Sequence, residues 1–217
     1  MSKPRDLSSV ASFAQPAEGV RLFAPSAANN VGPICEVLCA HAPDSGAALE
    51  IASGTGQHIV TFAAHIPQLN WQPTEPDPAR RTSIDAYAAD ISNIAPALEL
   101  NATAEGWHTA YQGQALITLA NLLHLISEAE ARTLIAEAGK ALTPQGVLHL
   151  YGPFLRDGET TSEGDASFHA KLRAEDSEVG YKDDWDIIDW VQSSGMELVE
   201  VLEMPANNLS FVARRVF

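Results

Sequence analysis

At 217 residues, 46% of them apolar and 19% charged, the chain has the size and composition of one globular domain with a substantial core. Thirteen Lys and Arg face 28 Asp and Glu, a formal charge of −15. Nucleic-acid binding draws its affinity from cations laid along phosphates, so that class of partner is disfavoured.

No apolar run approaches the ~20 residues of a membrane span. Met1 to Glu18 lacks the hydrophobic stretch of a secretory signal. A cytoplasmic protein without membrane association is expected, with residues 1–20 a flexible arm and 21–217 a single domain.

The elements follow in order. Phe23 to Asn30 turns from an extended entry into a helix whose Ile34, Val37 and Leu38 form one apolar face. Cys35 and Cys39 sit on this helix, and small buried side chains explain them better than a metal site. Ala47–Ala52 reads as a nearly all-apolar strand, the pattern of a sheet covered on both faces. The turn Ser53-Gly54-Thr55-Gly56 leads into a helix carrying Ile59, Val60 and Phe62.

A second strand, 70–74, stops at Glu75-Pro76-Asp77, and a helix follows over 78–89. A weaker third strand is expected at 97–101 and a strong fourth at 115–120. Ser127 to Glu130 looks like a helix cap with an acidic first turn. A fifth strand covers 147–151, and two last strands, 197–203 and 209–216, are joined by a short loop. Repeated alternation predicts a Rossmann-like, doubly wound, mostly parallel seven-stranded sheet ending in an antiparallel hairpin.

Chemistry concentrates at the glycine turn. Two glycines between a first strand and its helix let a ligand approach the backbone, beside amides of the helix start. Glu50, inside an apolar strand, needs a reason, because an unpaired buried charge is costly. Glu75, nineteen residues beyond Gly56 at the end of the next strand, suits a pair of ribose hydroxyls. Asn101 ends the third strand, where an adenine edge could be read. An NAD-dependent oxidoreductase would want a third glycine where Ile59 stands, which lowers that alternative.

Leu49-Glu50-Ile51-Ala52-Ser53-Gly54-Thr55-Gly56-Gln57 resembles the first motif of class I S-adenosylmethionine-dependent methyltransferases. Four further segments together are similar to the methyltransferase-like 26 family. They are Phe23 to Asn30, Trp71 to Asp77, Tyr151-Gly152-Pro153-Phe154 and Met204-Pro205-Ala206-Asn207-Asn208.

The resemblance implies S-adenosylmethionine as cofactor and S-adenosylhomocysteine as product. Glu50 and Ala52, Ser53, Gly54, Thr55 and Gly56 would meet the methionine half, and Glu75 the ribose. Leu100 and Asn101 would flank the adenine. Asn121 would line the pocket near the sulfonium, and Asn30 would reach the methionine end. Relatives often carry Asp in place of Asn101, and an Asp where Gln114 and Ala115 open the fourth strand.

His124, just past the fourth strand, is the candidate general base, since its ordinary pKa lies near neutrality. The same position suits a histidine packed at the strand end. Tyr151, Pro153, Asn207 and Asn208 are candidates for the wall of a substrate pocket, or plain turn residues. The expected function is methyl transfer to a small-molecule acceptor. The alternative is a non-catalytic relative that binds the cofactor or another protein. The histidines fall at no metal-ligand spacing, so no metal is expected.

Overall fold

The computed structural model of the chain describes residues 14–217. Residues 1–13 of the expected arm lie outside the described residues. Beyond them, β1 (Gln15–Pro16) pairs antiparallel with β2 (Leu22–Phe23). Helix α1 (Pro25–His41) begins with proline in its first turn, where a missing N–H costs nothing. It buries Ile34, Cys35 and Leu38, while Cys39 is exposed, so only the first cysteine packs as expected.

Strand β3 (Gly46–Ile51) leads through the glycine turn to α2 (Gln57–His65), β4 (Leu69–Pro73) and α3 (Pro78–Ala88). Asp77 caps α3, its side chain accepting the amides of Ala79 and Arg80. Next come β5 (Gln114–Ala120), α4 (Glu128–Ala141) and β6 (Leu142–Leu155). The expected cap at Ser127 is a full capping box with Glu130. Helix α5 (Glu163–Glu175), β7 (Lys182–Asp183), α6 (Asp184–Ser193), β8 (Met196–Met204) and β9 (Asn208–Arg215) complete the fold.

The sheet runs β4-β3-β5-β6-β9-β8, with β7 alongside the end of β6. Pairs from β4 to β6 are parallel, and the last two strands are antiparallel. Side chains alternate between two cores. Leu49, Ile51, Ile117 and Leu119 face α4 and α6, whereas Ala48 and Leu116 face α1 and α2. No helix among the described residues is long and apolar enough to cross a membrane.

The third strand needs correction. Residues 97–101 form no ladder, only one isolated parallel bridge, Leu98 with Thr74. Pro73 of β4 has no N–H to donate, the Ala97 amide goes to Asp85 at 2.8 Å, and Leu98 is 46% exposed, so the bridge does not extend into a ladder. The seventh strand is Lys182–Asp183 instead.

One polar row crosses the middle of the sheet. The Thr118 hydroxyl is hydrogen-bonded to Nδ1 of His149 at 2.9 Å, and the Ser210 hydroxyl to the other ring nitrogen at 3.1 Å. All three residues are buried. Burial pushes the imidazole down to about 3, so it stays neutral with both ring nitrogens satisfied.

Candidate functional site

A cavity of about 370 Å³ opens at the carboxyl ends of β3, β4 and β5. This is the edge where open parallel sheets bind ligands. The turn after β3 forms its floor, with Ala52, Ser53, Gly54 and Thr55 among the lining residues. Ala52 and Gly54 both have left-handed backbones, φ 54° and 60°. A side chain added at Gly54 would meet nothing nearer than a carbonyl oxygen at 4.0 Å, so space above this residue is open. Gly56 serves another purpose. A Cβ there would stand 2.8 Å from the Ile84 backbone, so the glycine lets α3 approach the turn and is absent from the lining.

The turn is stitched to its neighbours. Thr74 donates its amide and hydroxyl to the Glu50 carbonyl at 2.9 and 2.8 Å, and Ser53 N–H donates to the Thr74 carbonyl at 2.9 Å. Ser83 of α3 holds the Thr55 carbonyl at 2.7 Å.

Glu75 is 4% exposed and lines the cleft. One carboxylate oxygen accepts the Gly54 amide at 3.0 Å and the other the Asp77 amide at 3.2 Å. Burial pushes its carboxyl up, against these two amides and the Arg80 guanidinium, which pull it down. Glu50 is 3% exposed and its Oε2 has no partner among the described residues. Burial, with Glu75 close by, pushes it up to about 8 despite a hydrogen bond from Ser53.

Asn121, at the end of β5, joins the lining with φ 57° and donates its amide to the Tyr151 carbonyl at 2.9 Å. Asn30 stands on α1, its Oδ1 2.7 Å from Nε2 of His58. Leu100 packs in the core facing α4. The Asn101 carboxamide oxygen is held by the amide and hydroxyl of Thr103, at 3.2 and 2.7 Å. Neither residue is among those lining the cleft.

His124 also stands outside the lining. It is 7% exposed in a short 3₁₀ turn, its ring edge-on to Phe168 and Tyr181. Burial and the Lys182 cation push its pKa down to about 3, so at neutral pH the ring is an uncharged, very weak base.

The four substrate-pocket candidates are not among the lining residues either. Tyr151 is 2% exposed, its hydroxyl interacting with Asn30 and Asn208. Pro153 faces Asn208 across the β6–β9 ladder. Asn207 donates to Asp165 at 2.9 Å, and Asn208 to the Pro205 carbonyl at 2.9 Å.

The sequence reading missed Gln57, His58 and Arg80. His58 and Arg80 line the cleft directly. Arg80 was legible in principle, as a cation five residues after the acid that ends β4. His58 carried no signal beyond its place after the glycine turn.

Residues 21–215 match the DUF938 family, described as a protein of unknown function. The chain belongs to the DUF938 family. Several solved structures share the fold of this DUF938 chain. An O-methyltransferase family protein from Burkholderia thailandensis superposes with a TM-score of 0.72 at 17% identity, over 88% of this chain and 57% of its own. An O-methyltransferase family 2 protein from Planctomyces limnophilus, in complex with apigenin, gives 0.72 at 15% identity, over 88% and 59%. Human N-acetylserotonin methyltransferase, in complex with SAM, gives 0.72 at 12%, over 88% and 53%. The DUF938 chain thus has a methyltransferase fold and spans little more than half the length of these proteins.

Proposed function

We propose that this DUF938 chain binds S-adenosylmethionine in the cleft and moves its methyl group to a small acceptor. The observation that carries the reading is Glu75, a buried carboxylate presented at the cleft and fixed by the Gly54 amide. A carboxylate with spare lone pairs beside an open glycine turn suits two ribose hydroxyls. Glu50, whose buried Oε2 lacks a partner, suits the cationic end of the same molecule. The residues therefore fit the cofactor.

When bound, S-adenosylmethionine supplies a methyl group that is already activated. The chain's own residues then need to hold and align. Glu75 grips the sugar, the turn admits the methionine half, and Asn121 faces the reacting centre. In-line displacement follows from alignment and exclusion of water.

Three observations support a small acceptor. The cavity lies near the lower end of the usual ~300–1,000 Å³ for ligand sites. One neighbour of the same fold carries apigenin. The acidic charge disfavours nucleic acid. The similarity to the methyltransferase-like 26 family belongs to this proposal, as does a reducing, cytoplasmic setting for the two free cysteines.

Isothermal titration with S-adenosylmethionine and S-adenosylhomocysteine tests the reading. Binding of both is expected, and Glu75→Ala should weaken it roughly 10- to 100-fold, the worth of one or two hydrogen bonds to a charged group. Unchanged affinity in that variant would remove the ribose assignment. No heat from either ligand, beside clear NADH binding, would replace the reading with a dinucleotide enzyme.

A further inference from the structure

Helix α1 supplies one wall of the cleft through Ala24, Ser26 and Ala27. Its N-cap is Ala24, which has no side chain able to cap, so the start of this helix lacks the usual local anchor. The anchor comes from another helix. Gln57 is the first residue of α2, directly after the glycine turn. Its Oε1 accepts the Ala24 amide at 2.6 Å and the Thr55 hydroxyl at 2.9 Å. One carboxamide oxygen therefore ties the α1 wall to the cleft floor. The next residue, His58, repeats the tie one turn further along through Asn30, with its ring stacked 5.5 Å from Phe62.

We propose that Gln57 is a positioning residue for the cofactor, holding the first turn of α1 against the glycine turn so that wall and floor close on the ligand as one unit. The proposal rests on the cofactor reading above. Gln57 touches no reacting atom. It acts through Ala24 and Thr55, and both of its contacts need only an acceptor oxygen. Glutamate retains that oxygen and alanine removes it. Alanine is also the best helix former, so the substitution at the first position of α2 does not weaken α2 itself.

The experiment combines calorimetry with S-adenosylhomocysteine and amide hydrogen exchange of residues 24–30, on the full chain and on Gln57→Ala and Gln57→Glu. Gln57→Ala should bind about tenfold more weakly, as expected for the loss of a partly buried hydrogen bond. Exchange over residues 24–30 should be faster in its ligand-free form, whereas Gln57→Glu should stay within about twofold of the parent in both measurements.

Unaltered affinity in Gln57→Ala overturns the proposal, and so does a glutamate variant as weak as the alanine one. If the parent chain binds neither S-adenosylmethionine nor its product, the cofactor reading fails. Exchange in the ligand-free variants then still decides whether Gln57 holds α1, and unaltered exchange in Gln57→Ala overturns that as well.

Discussion

Glu50 and Glu137 are hidden to the same degree, 3% and 2% exposed, yet the protein treats them in opposite ways. Glu137 on α4 accepts the backbone amide of His108 at 3.2 Å, its ring nitrogen at 2.7 Å and Lys140 at 2.9 Å. Burial alone would raise its pKa, but these partners outweigh it and hold the carboxyl down at about 2. It pins the 107–109 turn to the sheet-covering helix. Among the described residues Glu50 receives no cation and keeps one oxygen bare, and burial pushes it up to about 8. A buried acid that serves architecture is fully partnered. One left with a bare oxygen, just before the turn that floors the cleft, is the one the proposed cofactor would engage.

That contrast can be broken in several ways. The largest effect is expected from Glu137→Ala, which strands His108 and should cost about 3 kcal/mol in denaturant unfolding at pH 7. A loss below about 1 kcal/mol would make Glu137 as dispensable architecturally as Glu50.

Glu50→Gln should do the reverse. The folded pKa of Glu50 lies above its ordinary value of 4.5. Its favourable contribution is therefore complete below about pH 4.5 and drains away as the pH rises towards 8. Glutamine does not ionise, so the variant should match the parent near pH 4 and exceed it by on the order of 2 kcal/mol at pH 8. Unfolding curves at several pH values check this, and a variant weaker than the parent at pH 8 would refute it.

His124 sharpens the comparison, because among the described residues its Nδ1 is also buried and without a partner, and neither it nor Glu50 is among the residues lining the cleft. His124→Phe should keep stability within about 1 kcal/mol and leave S-adenosylhomocysteine affinity unchanged, since its neighbours are already aromatic. A tenfold loss of affinity would assign the ring to the cleft. The smallest effect belongs to Lys140→Met. Its side chain is 56% exposed, so its ion pair with Glu137 should be worth about 0.5 kcal/mol.

Most of the sheet was readable because apolar runs bounded by Gly, Pro and Asn are strong local signals. At 97–101 Leu98 and Leu100 alternate like a strand, but the Ala97 amide is taken by Asp85, twelve residues back, and Pro73 on β4 offers no donor. The two-residue β7 carries no periodicity at all, and only its place beside Phe154 creates it. Glu75 and Gly54, which line the cleft, and Glu50, which is buried, stood out because charge or glycine in such settings needs an explanation. Gly56 was legible as a glycine but not in its purpose, which depends on a helix 28 residues away. His124 and Asn101 stand outside the cleft lining for one reason. Chain position places a residue near a strand end, but rotamers and neighbours decide whether it faces the cleft. Gln57 and His58 escaped notice because their partners, Ala24 and Asn30, are distant in sequence.

The row Thr118–His149–Ser210 bears on how the strands find each other. The sheet interior is otherwise largely Val, Leu, Ile and Ala, which tolerate many alignments about equally well. Sliding β5 or β9 by one residue along β6 would set a hydroxyl opposite an aliphatic side chain and leave an imidazole nitrogen bare in a dry interior. Each mispaired arrangement therefore carries its own penalty, of roughly 1–3 kcal/mol per stranded polar group. The row thus favours the correct alignment, on which the cleft at the sheet's edge depends, over near misses.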